Sequence, residues 1–239
     1  MQAIATMQFK GGAGKTVLTE ALASAAAAAG ARTVLIDTDQ NRPLAKWEKA
    51  ATTLDYWQDG LDVIHHLDFE AVETAVNGLD DAGKTDFVII DCKGGRGRFL
   101  DGISQIVDLV LIPVRPDKLD LDAAIETLHY TQTLTKAGAE IAPVRLAMTA
   151  LRAEKQMSAD MRDFMTDLTG LPQMATRLRE RTAYKNMQSR GLLGQIASQM
   201  AADADALERG QARPYAQALV EAAALLEEII TLVDLQAAA

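Results

Sequence analysis

The chain is poor in several residue types whose abundance would set its class. It has one cysteine, Cys92, so no internal disulfide can form and a disulfide-stapled scaffold is excluded. Aromatic residues make up only 5% of the 239, while 49% are hydrophobic and mostly Ala and Leu, a balance that suits a helix-rich globular core. Long apolar runs are missing: the Ala-rich stretch Ala21 to Ala29 is weakly hydrophobic, contains Ser24 and stops at Gly30, too short to span a bilayer. The first residues run into a strand-like segment rather than a charged stretch with an apolar signal region, which predicts a cytoplasmic protein. Positive charge is also scarce. With 24 Lys and Arg against 33 Asp and Glu the formal charge is −9, so no basic coat covers the surface and any nucleic-acid contact must be local.

What is present is a regular alternation of short apolar runs with longer amphipathic stretches, the signature of β-α units and a mainly parallel sheet. Strands are predicted at Ala3–Met7, Thr33–Asp37, Asp62–His65, Phe87–Asp91, Leu109–Val114 and Val144–Thr149. Several are continuous Val/Ile/Leu runs, as expected when helices cover both faces, and the first, second, fourth and fifth should form the centre. Helices are predicted at Lys15–Ala29, Pro43–Leu54, Phe69–Gly78, Leu100–Val107, Leu121–Lys136 and Gln156–Leu168, with Gly30 and Gly138 at C-caps. From Gln195 onward the pattern is helical, and Tyr215, Leu219, Ala222, Leu226, Ile229 and Val233 share one face, fit for packing on the domain or for a partner. Pro172 and a loop at Glu208–Pro214 read as local punctuation. With no repeat, low-complexity linker or charge block to mark a boundary, one α/β domain over residues 1–239, with a helical C-terminal region from about 195, is expected.

The strand Ala3–Met7 leads into Lys10-Gly11-Gly12-Ala13-Gly14-Lys15-Thr16, a glycine-rich turn that opens a helix. Backbone N–H groups and the positive end of the helix dipole converge there, so a phosphate belongs at that point. The glycines let the backbone approach phosphate oxygens, Lys15 can reach the β- and γ-phosphates, and the Thr16 hydroxyl can ligate Mg²⁺. Two further segments end in acids. Asp37-Thr38-Asp39-Gln40 closes the second strand, where carboxylates two residues apart can serve a metal and a water. Phe87-Val88-Ile89-Ile90-Asp91 is an apolar strand ending in a carboxylate.

The phosphate loop departs from G-x-x-x-x-G-K-[ST], with Phe9 at the first glycine and Lys10 after it. Lys-Gly-Gly-x-Gly-Lys-Thr resembles the deviant P-loop of the ParA/MinD ATPases, and the likeness runs over nearly the whole chain. Asp37-Thr38-Asp39 looks like that family's D-x-D switch, and the Phe87–Asp91 segment like its Walker B strand. The resemblance implies a doubly wound, mainly parallel sheet flanked by helices and an ATPase that uses ATP and Mg²⁺. It implies a nucleotide-binding set of Lys10, Gly11, Gly12, Ala13, Gly14, Lys15, Thr16 and Val17, a metal set of Thr16, Asp37 and Asp91, and a catalytic set of Lys10, Lys15 and Asp39. In it Lys10 reaches the phosphates of a second subunit, so ATP would join a homodimer; Asp39 would orient the attacking water in slow hydrolysis stimulated by a ParB-like or cargo-adaptor partner.

Asp91-Cys92-Lys93-Gly94-Gly95 replaces the usual D-x-P-P, and Val17 replaces a hydroxyl residue, removing one hydrogen bond to the α-phosphate at a cost of about 1 kcal/mol. Gly94, Gly95 and Asn41-Arg42-Pro43-Leu44 are similar to VirC-type ATPases that assist conjugative DNA transfer. Cys92 reads as a small buried hydrophobe or a redox-sensitive thiol, and His65, His66 and His129 lack metal-ligand company.

Arg177, Arg179, Arg181, Lys185 and Arg190 concentrate positive charge in one stretch. They fit a DNA-tracking surface of the kind that nucleoid-binding relatives carry near this region, and equally a solvated helix face balanced by Glu180. Sequence-specific reading is not expected, because no helix-turn-helix or zinc-finger pattern occurs. The tail Gln217 to Ala239 carries Glu221, Glu227, Glu228 and Asp234 and no basic residue, which argues against a membrane-surface helix. The expected output is ATP-dependent dimerisation on non-specific nucleoid DNA to segregate or position a plasmid or protein cluster. A VirC-like accessory switch in conjugative transfer is the alternative, and a P-loop enzyme phosphorylating a small molecule is a third. Contacts to the adenine of the nucleotide are expected near Met148–Leu151 and Gln173–Arg177.

Overall fold

The computed structural model describes residues 1–152, 158–203 and 205–238, with Asp160 and residues 206–208 described by backbone alone. In chain order the elements are β1 (Gln2–Thr6), α1 (Lys15–Ala28), β2 (Thr33–Asp37), α2 (Pro43–Thr53), β3 (Leu61–His65), α3 (Phe69–Ala82), β4 (Phe87–Asp91) and α4 (Arg98–Ile106). They continue with β5 (Leu109–Val114), α5 (Lys118–Lys136), β6 (Val144–Met148), α6 (Ala159–Asp167), α7 (Thr182–Arg190), α8 (Leu193–Ala202) and α9 (Ala206–Ala237).

The sheet runs β3-β2-β4-β1-β5-β6 and every pairing is parallel, so β2, β4, β1 and β5 form its centre. Those strands are apolar on both faces for a reason visible in the packing. Ile4, Leu35, Ile89 and Leu111 turn to a core shared with α1, α7, α8 and α9, while their neighbours Ala5, Ile36, Ile90 and Ile112 turn to a second core under α3, α4 and α5. Side chains alternate across a strand, so covering both faces demands an unbroken apolar run. The register places Thr6, Asp37 and Asp91 level with one another at the C-terminal edge, where loops after β1, β2 and β4 meet.

The helix ends move by one to four residues from the sequence expectation, as terminal turns usually do. Two differences are larger. The expected loop at 208–214 is helix: α9 runs through Pro214, because Ala212, Tyr215 and Ala218 are buried against the α1/α8 face and hold the turn around the missing N–H. The residue four before Pro214, whose carbonyl the proline ring crowds, is Gly210. Thr182–Arg190, expected as a basic surface or a solvated helix face, is a helix that instead buries Ala183, Tyr184 and Met187, while the Trp47 indole donates to the Met187 carbonyl at 2.9 Å and ties α2 to α7. The start of the helix expected from Gln156 lies outside the described residues, and the helix is described from Ala159.

Two glycines separate close packing from backbone cost. Gly191, at φ +137°, joins α7 to α8, and a Cβ there would sit 2.6 Å from the Ala51 Cβ and 2.8 Å from the Tyr56 carbonyl oxygen. A Cβ at Gly210 would meet nothing within 4 Å. Gly191→Ala should therefore lose about 2 kcal/mol or more of stability, and Gly210→Ala should gain about 0.5 kcal/mol, both read from urea unfolding. Equal effects of the two substitutions would contradict this packing.

Candidate functional site

The turn between β1 and α1 forms one wall of a cleft of about 600 Å³ at the C-terminal edge of the sheet. Gly12 (φ +73°) and Gly14 (φ +94°) adopt the left-handed region that lets the turn fold back on itself. The turn is open: a Cβ at Gly11 or Gly12 would meet nothing within 4 Å. Lys15 opens α1 and is buried, and its ammonium donates to the carbonyls of Gln8 (3.3 Å) and Lys10 (3.2 Å). Among the described residues no carboxylate lies within ion-pair distance of it, and burial lowers its pKa. An ammonium held in this way at a helix N-terminus calls for an anion from outside the chain.

The neighbouring loops supply oxygen. The Thr16 hydroxyl donates to Asp91 at 2.6 Å, so two of the three expected metal ligands already touch; the third, Asp37, spends both carboxylate oxygens on backbone N–H groups. Burial pushes the Asp91 carboxyl up to about 7, against the stabilising Thr16 hydrogen bond and with the nearby Asp37 charge adding to the rise. Asp37 is buried and commits one oxygen to the Asp39 N–H (3.0 Å) and the other to the Leu44 N–H (2.9 Å); it shapes the D-x-D loop and caps α2. Asp39 lines the cleft, and its carboxylate accepts from the Asn41 backbone (2.8 Å) and side chain (3.0 Å), while its carbonyl meets His65 at 3.0 Å. Among the described residues no three His, Cys, Asp or Glu side chains gather to bind a metal unaided. Thr16 and Asp91 beside a phosphate cradle instead fit Mg²⁺, a cation that takes few protein ligands and completes its shell with phosphate and water. Cys92 is buried and its thiol is pushed up by burial, so it is a small core residue.

Lys10 lies outside this cleft. Its ammonium is 2.5 Å from a carboxylate oxygen of Asp120, whose other oxygen takes the Arg115 guanidinium at 2.5 Å. Asp120 is fully buried, which alone would raise its pKa; hydrogen bonds from Arg115 and Lys10 outweigh burial and hold it below the ordinary carboxylate value. Arg115 also lines the cleft. Sequence reasoning missed both residues. The only signal was the polar run Arg115-Pro116-Asp117 after the apolar β5, and nothing in it pointed to Lys10.

The wall opposite the glycine turn comes from Thr149, Ala150, Leu178–Arg181 and α7. It overlaps the expected base contacts at 148–151 and falls a few residues beyond 173–177. Three members of the basic cluster, Arg179, Arg181 and Lys185, are part of this wall. Arg181 is engaged by Glu221 (2.6 Å) and Gln217 (3.0 Å), and Arg179 lies 3.8 Å from the same Glu221; Arg177 is exposed and Arg190 half-buried away from the cleft. Val17 reaches the cleft edge with no hydroxyl to offer.

With this geometry in place, the chain can be set against known proteins. A family model described as VirC1 protein matches residues 1–234. The chain belongs to the VirC1 family. Protein virC1 of Rhizobium radiobacter is 30% identical over 193 residues, covering 81% of this chain and 83% of that one. Maintenance of carboxysome distribution protein A of Halothiobacillus neapolitanus is 27% identical over 192 residues, covering 77% and 82%. The fold is shared with the septum site-determining protein MinD of Pyrococcus horikoshii, solved complexed with Mg-ADP (TM-score 0.62, 17% identity, 97% and 98% covered). This VirC1-family chain is thus a P-loop protein of the ParA/MinD ATPase group, with the parallel sheet and flanking helices of that group.

The carboxyl shift has a measurable consequence for the nucleotide-free protein. A carboxyl with a folded-state pKa of about 7 contributes stability that is whole below its ordinary value of 3.8 and is lost as pH rises through 7. Glu20, buried one turn along α1 with its Oε2 unpartnered, is shifted in the same direction by burial. Thermal melts should therefore fall between pH 5 and pH 8. Asp91→Asn, which keeps the acceptor for Thr16 and removes the charge, should melt roughly 5 °C or more above wild type at pH 8, with the gap shrinking as pH falls toward 4. A wild-type melt that rises with pH would refute the assignment.

Proposed function

We propose that this chain is an ATP-gated switch of the ParA type that dimerises on Mg-ATP and hydrolyses it slowly to position a macromolecular cargo. The reading is carried by the placement of two lysines at the ends of one glycine turn. Lys15 is buried in the cleft with, among the described residues, no carboxylate at ion-pair distance, whereas Lys10 sits outside it on Asp120 with its side chain 35% exposed. Phosphates in the cleft meet Lys15 of their own chain, and Lys10 is free to serve the phosphates of a second copy once it leaves Asp120.

In this scheme Gly11–Thr16 amides and Lys15 hold the triphosphate, and Thr16 and Asp91 hold Mg²⁺, which supplies charge neutralisation across the phosphates. Asp37 keeps the D-x-D loop in place beside the metal site. Asp39 orients water, restrained by Asn41. Lys10→Ala should then bind ATP with near wild-type affinity yet stay monomeric by analytical ultracentrifugation in an Asp39→Ala background, and Lys15→Ala should lose ATP binding by about 100-fold or more. Dimerisation of Lys10→Ala on ATP would sink the two-lysine reading.

The favoured output is positioning on non-specific DNA within the cytoplasm, with a ParB-like or cargo-adaptor protein stimulating hydrolysis. Among the described residues no helix is long and apolar enough to cross a membrane. With Arg181 engaged by Glu221, the charge left for DNA is chiefly Arg177, Lys185 and Arg190, with Arg179 at the rim. A second reading, favoured by the family match over residues 1–234, is a switch that recruits proteins for conjugative DNA transfer. Binding to random-sequence duplex DNA in a salt series separates them. The first reading expects binding with Mg-ATP, none with Mg-ADP, and a shallower salt slope in Arg177→Ala/Lys185→Ala; absence of binding with either nucleotide leaves the recruiting switch.

A further inference from the structure

The wall of the cleft facing the glycine turn has an unusual support. Residues 172–180 run beside β6 but, among the described residues, form only two isolated bridges with neighbouring chain, Leu146 with Gln173 and Leu151 with Arg179. Met174 and Leu178 donate to the Leu146 and Met148 carbonyls, which leaves intervening N–H groups pointing away from the sheet. Such edge groups need partners. Here α9 supplies them as carboxylates. Glu228 accepts from the N–H groups of Ala175 (2.6 Å) and Thr176 (2.8 Å), and Glu221 accepts from the N–H of Arg179 (3.1 Å) as well as from the Arg181 guanidinium (2.6 Å).

The two glutamates are seven residues apart, two helical turns or about 10 Å along the helix axis, which matches the three extended residue steps from Thr176 to Arg179. The same helix packs along α1, whose N-terminus carries Lys15 and Thr16. One rod therefore references both walls of the cleft, the phosphate turn through α1 and the opposite wall through Glu221, with Glu228 holding the segment that leads into it.

We propose that Glu221 and Glu228 are positioning residues for the nucleotide, fixing the wall that meets its base and sugar without acting on its phosphates. This rests on the nucleotide reading of the cleft. It also assigns Arg179 and Arg181 to the nucleotide wall in preference to a DNA surface.

The test is calorimetric binding of ATP and of inorganic tripolyphosphate, both with Mg²⁺, to the full chain and to Glu221→Gln and Glu228→Ala. Each variant should bind ATP about tenfold more weakly, the scale of a lost charge-assisted hydrogen bond, with tripolyphosphate changed less than twofold. Glu227→Gln, an exposed neighbour on α9, should bind both as wild type does. Unchanged ATP binding, or equal loss for both ligands, overturns the proposal. A wild-type chain that binds no ATP overturns the cleft reading instead. Should either variant fail to fold, amide exchange in the wild-type chain decides: ATP should slow exchange at Ala175, Thr176 and Arg179 and tripolyphosphate should not, and equal slowing by both contradicts the assignment.

Discussion

An ammonium buried without a direct ion-pair partner is one of the costlier things a protein can hold, and among the described residues Lys15 is in that state at the centre of the cleft. The chain tolerates it by aiming two carbonyls and the start of α1 at one point, which partly solvates the charge and leaves room for an anion. The acids that could neutralise Lys15 are spent elsewhere. Asp91 takes the Thr16 hydroxyl, Asp37 takes two backbone N–H groups, and Asp39 takes Asn41. The electrostatic strain at the site is thus shared between a depressed lysine and raised carboxyls, and a metal-bound polyphosphate would relieve both at once.

Around that centre three helices are tied to the site by one or two polar side chains each, which makes the cleft a junction. α2 begins on Asp37, so the D-x-D loop cannot move without moving α2, and α2 is linked through Trp47 to α7 in the opposite wall. α5 presents Asp120 to Lys10 and Arg115. α9 holds residues 175–181 by its glutamates while lying on α1. Buried polar links of this kind have discrete partners, so a change in the cleft is passed on as an exchange of partners more readily than as a gradual deformation. The basic cluster illustrates the consequence: Arg179 and Arg181 are adjacent to Arg177 in sequence, yet the fold sends them to a different neighbour.

Local patterns in the chain made much of this legible. Unbroken apolar runs at 33–37, 87–91 and 109–114 report strands covered on both faces, because alternation is lost only when neither face meets water. Positive-φ demands at Gly12 and Gly14, the helix start at Lys15 and the acids at strand ends are all properties of a few adjacent residues, and the family likeness drew on those same residues. Pro214 was misleading for the same reason: local chemistry disfavours a helix there, and the burial of Ala212, Tyr215 and Ala218 on distant helices overrides it. The buried face of the short α7 was hidden because it is only Ala183, Tyr184 and Met187 among polar and charged residues.

By itself, then, the sequence determined the class of sheet, the phosphate turn and the acids that border it, since each depends on contacts within a few residues. Only the tertiary structure decided which groups those residues spend their charges on. Asp120 lies 110 residues from Lys10 and Glu221 lies 40 from Arg181. Such pairings are set by how β5, α7 and α9 pack against the first βα unit, and no spacing along the chain encodes them. The physical reason is that a buried charge takes whichever partner the packing brings within reach, and packing is a property of the whole fold.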